Sequence, residues 1–312
     1  MEYKRILITG QTGTVGSNLN FGNLGRGISS KRVDLRDPRA VKEYFSIGQP
    51  DAVIHCAAKV GGLKFHMEHK HELFLDNVLI NTNVINAARL AGVKRVLSFL
   101  SSCVFCEKSP SPYTEKMIHD GPPFEVHYPY GFSKRALEVH SRICYEELGL
   151  IYNCIIPTNI YGIHDDFNLD TGHVIGVLIH KAFLAHKNGT DFIVWGNGEQ
   201  RREFLFTEDV RWLTEWALYN YLEKEPIIFS SNQPVKIKEV AEVIADRFRI
   251  RNRLVFDTSK PSGQTERSLS GDKLVERLNA SRPDSGFSFT PIDIGINKTI
   301  DWFLENYPNI RK

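Results

Sequence analysis

Long hydrophobic runs are missing from this chain. No apolar stretch approaches the ~20 residues a membrane-spanning helix needs, which argues against a membrane protein of that kind. Cysteine is sparse and odd in number: five (Cys56, Cys103, Cys106, Cys144, Cys154) in 312 residues, mostly amid apolar neighbours. That excludes a disulfide scaffold and fits reduced thiols in a cytoplasmic compartment. A strong excess of either charge is also lacking. The net charge is +2, too balanced for a nucleic-acid partner, although a local basic pocket for phosphates is compatible with it. Internal repeats and low-complexity tracts are absent. Met1-Glu2-Tyr3-Lys4-Arg5 runs directly into a strand-like stretch, so no signal peptide is expected. What remains is ordinary globular material, 42% hydrophobic and 24% charged, enough for a sizeable core. The length suits one large α/β unit or two intimate lobes.

Strands and helices alternate over the first half. Ile6-Leu7-Ile8 is a short apolar run that ends in a glycine-rich turn. Asp37-Pro38 opens a helix, with Asp as N-cap and Pro at the first helical position. Ala52–Cys56, Val96–Leu100 and Tyr152–Ile156 read as buried strands. Residues 72–91 and Tyr130–Leu148 carry apolar residues at helical spacing, ended by Gly92 and Gly149. This order predicts an α/β, Rossmann-type doubly wound parallel sheet over residues 1–160, with ligands at the carboxyl ends of the strands. Residues 161–312 read mainly as a smaller substrate-binding lobe, with a return to the main sheet at about 203–245. Its helices are expected near Val174–His186, Glu208–Leu222, Ile237–Arg247 and Ile292–Phe303. Its strands are expected near Phe192–Trp195, Ile227–Phe229 and Leu254–Phe256.

The first strand leads into Gly10-Gln11-Thr12-Gly13-Thr14-Val15-Gly16, a G-x-x-G-x-x-G spacing. Residues without side chains permit a tight turn and a close backbone approach to a pyrophosphate. A helix starting there would add amide donors and a favourable dipole. Glycine turns also arise for purely structural reasons. The stretch from Gly16 to Ser29 is short for a helix plus a strand, so the first helix is expected to be stunted. At the end of the second strand an acid would bind the ribose hydroxyls of NAD. Ser29-Ser30-Lys31-Arg32 stands there, with no acid before Asp34, which favours NADP(H) over NAD. A solvated basic turn is the plainer alternative.

Tyr130-Gly131-Phe132-Ser133-Lys134 puts Tyr130 and Lys134 on one helical face. Reduction of a ketone needs an acid at the carbonyl oxygen, and a free phenol at a pKa of ~10 is a reluctant one. A neighbouring ammonium would favour the phenolate and tune the group. Ser101-Ser102-Cys103 leaves a strand at its carboxyl edge, where a hydroxyl can donate to a substrate carbonyl. Each piece has a bland counterpart: a helix-surface pair, a polar strand exit, a buried small cysteine.

Together these pieces resemble the extended short-chain dehydrogenase/reductases. Longer strings narrow the likeness: Ala57-Ala58-Lys59-Val60-Gly61-Gly62, Leu100-Ser101-Ser102-Cys103-Val104-Phe105, Ile156-Pro157-Thr158-Asn159-Ile160-Tyr161-Gly162, Gly172-His173-Val174-Ile175, and Val194-Trp195-Gly196 followed by Arg202-Glu203-Phe204-Leu205. These are similar to the GDP-L-fucose synthase family over essentially the whole chain. The resemblance implies 3,5-epimerisation and then NADPH-dependent 4-reduction of GDP-4-keto-6-deoxy-D-mannose. It assigns the reduction to Ser101, Tyr130 and Lys134, and the epimerisation to Cys103 and His173. It carries cofactor contacts onto Gly10, Thr12, Gly13, Thr14, Val15, Gly16, Ser30, Lys31, Asp34, Leu35, Ala57, Ala58, Tyr130, Lys134, Pro157, Asn159, Ile160 and His173. Substrate contacts fall on Asn159, Lys181, Trp195, Arg202 and Arg267, where the two arginines suit a diphosphate. No metal is implied. A homodimer is, with Asn83–Leu90 and Leu137–Ile143 as candidate contact segments.

Some features sit outside that pattern. Cys103-Val104-Phe105-Cys106 is a C-x-x-C where the family has proline at the second cysteine; it fits a redox pair, while structural zinc would need a second such pair. His66, His69 and His71 cluster near an expected helix start and read as solvated rather than metal-binding. Ile163 and Asp166 stand where the family has proline and asparagine, with Asp166 expected to alter a loop near the sugar. Two rival functions remain: a 4-keto reductase or epimerase of a related nucleotide-sugar, and a non-catalytic NADP-sensing binding protein.

Overall fold

The computed structural model describes residues 2–260, 266–282 and 286–311. The elements run β1 (Ile6–Thr9), β2 (Gly25–Ile28), α1 (Pro38–Gly48), β3 (Ala52–His55), α2 (Leu63–Glu68), α3 (Lys70–Leu90), β4 (Arg95–Phe99), α4 (Tyr128–Leu148), β5 (Ile151–Pro157) and β6 (Asn159–Tyr161). They continue with α5 (Val174–Asn188), β7 (Phe192–Trp195), β8 (Arg201–Arg202), β9 (Phe204–Phe206), α6 (Thr207–Asn220), β10 (Ile227–Phe229), β11 (Val235–Lys236), α7 (Ile237–Arg247), β12 (Leu254–Asp257), β13 (Glu266–Arg267), α8 (Asp272–Ser281) and α9 (Ile292–Asn306).

Six strands form one parallel sheet in the order β10-β5-β4-β3-β1-β2. The order reverses between β1 and β3, which opens a crevice at their carboxyl ends. Alternation along each strand divides the core. Leu7, Val53, Val96 and Tyr152 pack under α1, α3 and α4, against Phe45, Ile85 and Leu137. Ile6, Ile8, Ile54 and Leu97 face the other way, against Leu213 and Trp216 of α6 and Leu274 of α8. Burying a Leu or Phe fully is worth ~1.5–3 kcal/mol, so these two layers fix the register of the strands. A third core joins α5, α7 and α9 through Leu178, Ile244, Ile300 and Phe303. It roofs the second lobe. The chain returns to the main sheet through α6 and β10. The helix α7, placed with that return from the sequence, belongs instead to the third core, because its apolar stripe meets α5 and α9.

Asp37 caps α1 as expected, its carboxylate accepting from the amides of Arg39 and Ala40. The stunted first helix is in fact absent. After Gly16 the chain makes one turn, with the Ser17 amide donating to the Gly13 carbonyl at 3.0 Å, and then runs through a short 3-10 segment at Gly22–Leu24. Asn18, Asn20, Gly22 and Asn23 are poor helix formers, and the Asn20 side chain ties up the Gly22 amide at 2.9 Å. No described helix is long and apolar enough to cross a membrane.

Candidate active site

A cavity of about 1280 Å³ opens over the carboxyl ends of the strands and reaches into the second lobe. Its walls include every site residue expected from the sequence except Lys31, which is exposed and outside the lining. Ser29, Ser30, Asp34, Leu35 and Arg36 line that end instead. Arg36 escaped the sequence reading because it lies beyond the serine–lysine run. It grips Asp34 at 2.8 Å and reaches Asp76 at 3.4 Å.

The glycine turn needs its glycines. A side chain at Gly16 would sit 2.3 Å from the Gly10 carbonyl oxygen, so only hydrogen fits. Among the described residues the amides of Thr14 and Val15 make no hydrogen bond, which leaves donors in a wall that suits phosphate. The helix expected to follow, with its dipole, is not there.

Ser101 leaves β4 and caps a short turn over Ser102–Val104; its hydroxyl oxygen accepts from the Cys103 amide at 3.2 Å. The hydroxyl hydrogen stays available to a ligand carbonyl. Tyr130 opens α4 beside it. Gly131 allows the approach, since a methyl there would lie 2.4 Å from the Cys103 carbonyl oxygen. Lys134 is 1% exposed, and its ammonium donates to the Phe99 carbonyl at 2.7 Å. Burial brings it down to about 8. Tyr130 departs from the sequence reading. Its phenol is pushed up, first by burial and then by the nearby Cys103, and the lysine nitrogen sits 5.7 Å from the ring centre, occupied by Phe99. Both effects favour the protonated phenol.

His173 precedes α5 and reaches the cavity from the second lobe. Its approach is fixed by the Gly62 amide, which donates to the Thr171 carbonyl at 2.7 Å and clasps the β3 exit to the loop before α5. Two further histidines line the cavity. His66, read as solvated, is buried to 3% exposure. Its ring meets His127 edge-on at 4.5 Å and Tyr130 at 5.4 Å. Burial holds His66 down to about 4 and His127 to about 3, with His66 and Arg267 adding to the shift on His127. The Nδ1 atoms of both rings are buried without a partner in the protein. No sequence signal singled out His127. His69 and His71 do not line the cavity, and no group of metal ligands occurs among the described residues.

At the other end Lys181 lies 5.1 Å over the ring of Trp195, which is half exposed and presents a flat face. Arg202 and Arg267 are directly paired in register on β8 and β13. Burial, then the charge of Arg267, lowers Arg202 to about 10. Two adjoining guanidiniums in a partly buried wall favour an anion between them. Arg267 also donates to the Ser102 carbonyl, linking this end to the turn over Ser102–Val104. Asn159 is pinned by donating to the Glu203 carbonyl at 2.9 Å. Asp166 is turned away from the cavity lining. It accepts from the Asn168 amide and the Thr171 hydroxyl, and so braces its loop rather than meeting a sugar. Cys103 and Cys106 are both free thiols.

The family model for the NAD dependent epimerase/dehydratase family matches residues 6–229. The chain belongs to that family. A GDP-L-fucose synthase of Dictyostelium discoideum is 37% identical, over 99% of this chain and 98% of its own length. The GDP-L-fucose synthase of Escherichia coli (strain K12) is 30% identical over the full length of both. A GDP-L-fucose synthetase from Naegleria fowleri, with a crystal structure bound to NADP, superimposes with a TM-score of 0.91 at 38% identity. That match covers 99% of this chain and 95% of the other. The architecture expected from the sequence, a Rossmann-type parallel sheet with a smaller second lobe, is thus shared over the whole chain.

Proposed function

We propose that this protein is an NADP-dependent oxidoreductase with epimerase activity that converts GDP-4-keto-6-deoxy-D-mannose to GDP-L-fucose. The observation that carries this reading is one cavity lined by a glycine turn, a Ser–Tyr–Lys reduction set, a cysteine–histidine pair and two adjoining arginines. The full-length likeness to named GDP-L-fucose synthases supports it.

The residues divide the work as follows. Arg202 and Arg267 hold the substrate diphosphate, and Trp195 with Lys181 offers a face for the base. Ser101 and Tyr130 donate hydrogen bonds to the 4-keto oxygen. The polarised ketone acidifies the C–H bonds at C3 and C5. Cys103 as thiolate takes a proton from one face of the sugar, and His173 returns one to the other face, so each centre inverts with no net change in atoms. Ser101 and Tyr130 steady the enolate oxygen meanwhile. Bound NADPH supplies the hydride that reduces C4. Tyr130, protonated in its buried setting, gives its proton to the alkoxide. Lys134 holds its charge beneath this centre.

The fit of the cofactor rests on the free amides of the glycine turn and on the uncharged Ser29 and Ser30, with Asp34 at the same edge paired to Arg36. The five free cysteines suit a reducing cytoplasm. We further infer a homodimer through α3 and α4. In the expected contact segments Asn83–Leu90 and Leu137–Ile143, Ile85 and Leu137 are buried inside the protomer, while Leu90 and Ile143 are exposed. The exposed apolar residues on these helices are Phe74, Leu75, Leu79 and Leu90 of α3 and Tyr128, Phe132, Ile143 and Leu148 of α4.

The test is incubation with GDP-4-keto-6-deoxy-D-mannose and NADPH in D₂O, with NMR assignment of the product. Wild type should form GDP-L-fucose carrying deuterium at C3 and C5. Cys103→Ser should lose the exchange and release an unepimerised 4-reduced sugar. No NADPH oxidation by wild type would sink the reading.

A further inference from the structure

The glycine turn lacks the device that normally stabilises a pyrophosphate. A dinucleotide fold aims a helix N-terminus at the diphosphate, and the aligned peptide dipoles offset its negative charge. Here a single turn follows Gly16 and no α-helix forms before β2. One turn aligns too few peptides for a macrodipole. Among the described residues the floor of the turn supplies no cation to offset the deficit. Asp165 is fully buried beneath it, accepts from the Thr14 hydroxyl at 3.2 Å, and has its second oxygen without a partner.

A cation reaches this spot from far along the chain. Arg311 follows α9, lines the cavity and donates to the Thr14 hydroxyl oxygen at 3.4 Å. Its nearest carboxylate, Asp166, is 4.0 Å away, and its side chain is 42% exposed. The guanidinium is thus lightly held. Asp166 itself is engaged by Thr171 and Asn168. Other cations of the cavity are committed elsewhere. Lys59 pairs with Glu72 and Asp76, Arg36 with Asp34 and Asp76, and Lys134 with the Phe99 carbonyl.

We propose that Arg311 is the positive charge for the dinucleotide's pyrophosphate, standing in from the second lobe for the helix this chain does not build. The proposal rests on the NADP reading above. Arg311 has several donors in a planar fork, so it can keep Thr14 and still meet a phosphate oxygen. A second consequence is mechanical: cofactor binding clasps the segment after α9 onto the glycine turn.

The experiment titrates the full chain with NADPH, 2′-phospho-ADP-ribose and adenosine 2′-phosphate by calorimetry or competition. Arg311→Gln should raise Kd about tenfold or more for the two ligands that contain a diphosphate. It should leave adenosine 2′-phosphate, which has none, unchanged. The salt dependence of NADPH binding should flatten, and Arg311→Lys should recover part of the affinity. The thermal midpoint of the unliganded variant shows whether the fold is intact. Unchanged NADPH affinity in Arg311→Gln, or equal weakening of all three ligands, overturns the proposal while the NADP reading stands. Wild type that binds no NADPH overturns both.

Discussion

Replacing Lys134 by methionine should make the protein inactive and no less stable. The ammonium is fully buried, and burial moves it from 10.5 to about 8. At 1.36 kcal/mol per pH unit that charge costs the folded state about 3 kcal/mol at neutral pH. Methionine removes the cost and keeps most of the volume. It also leaves the Phe99 carbonyl without its donor, a loss of roughly 1–3 kcal/mol. The net expectation is between no change and a gain of about 2 kcal/mol. The sign is checked by pH. Between about 8 and 10.5 the unfolded chain keeps this proton and the folded one sheds it, so the parent gains stability as pH rises through that window. The variant's advantage should therefore shrink by about 3 kcal/mol. Urea unfolding of both proteins at pH 7, 9 and 10.5 measures this, and NADPH oxidation should fall on the order of 10²–10⁴-fold. A variant clearly less stable at pH 7, with a difference indifferent to pH, would refute the view of Lys134 as a charge held in place at a cost for chemistry.

Three further outcomes are expected. Stability should fall with acid: burial holds His55 at about 3 against an unfolded value near 6.5, so the unfolded chain alone takes up this proton as pH drops. Urea unfolding should show His55 alone removing about 2 kcal/mol between pH 6.5 and 5, with His66 adding to it, and a flat profile would contradict this. Gly131→Ala should displace the Cys103 turn, since the added methyl would meet the Cys103 carbonyl at 2.4 Å. Deuterium exchange into the sugar should suffer more than NADPH binding, and equal loss of both would argue against a local effect. Arg202→Gln should raise KM for the nucleotide-sugar on the order of 10–100-fold with little change in affinity for NADPH, measured by steady-state kinetics and titration.

The sheet was legible because parallel strands buried on both faces read as short apolar runs, and their helices carry clear start and stop signals, Asp37 at a start and Gly92 and Gly149 at the stops. The glycine turn, Ser101 and the Tyr130–Lys134 pair could be found by spacing, since each lies at a strand exit or on one helical turn. His173, Arg202 and Arg267 could not. They meet the site only through long-range contacts, such as the pairing of β8 with β13, and family resemblance alone pointed to them. His66 misled because two neighbouring histidines made it look solvated, whereas its ring packs on His127 and Tyr130. The helix α8 carried too little apolar pattern to be noticed: only Leu274 and Leu278 are buried along it. The tuning of the tyrosine by Lys134 was not legible from spacing, for a physical reason. Spacing brings an ammonium near, but a carbonyl closer by claims it.

The strand β10 has an implication for how such a protein can be dissected. It lies beside β5, with Phe229 opposite Pro157, although about seventy positions intervene, including α5 and β7 of the other lobe. Neither half of the gene encodes a self-sufficient piece. A fragment stopped near position 160 would expose the flank of β5 and strip Trp216 from beneath it, inviting aggregation rather than an isolated nucleotide module. Swapping sugar specificity between relatives is therefore better done by exchanging loops than by splicing lobes.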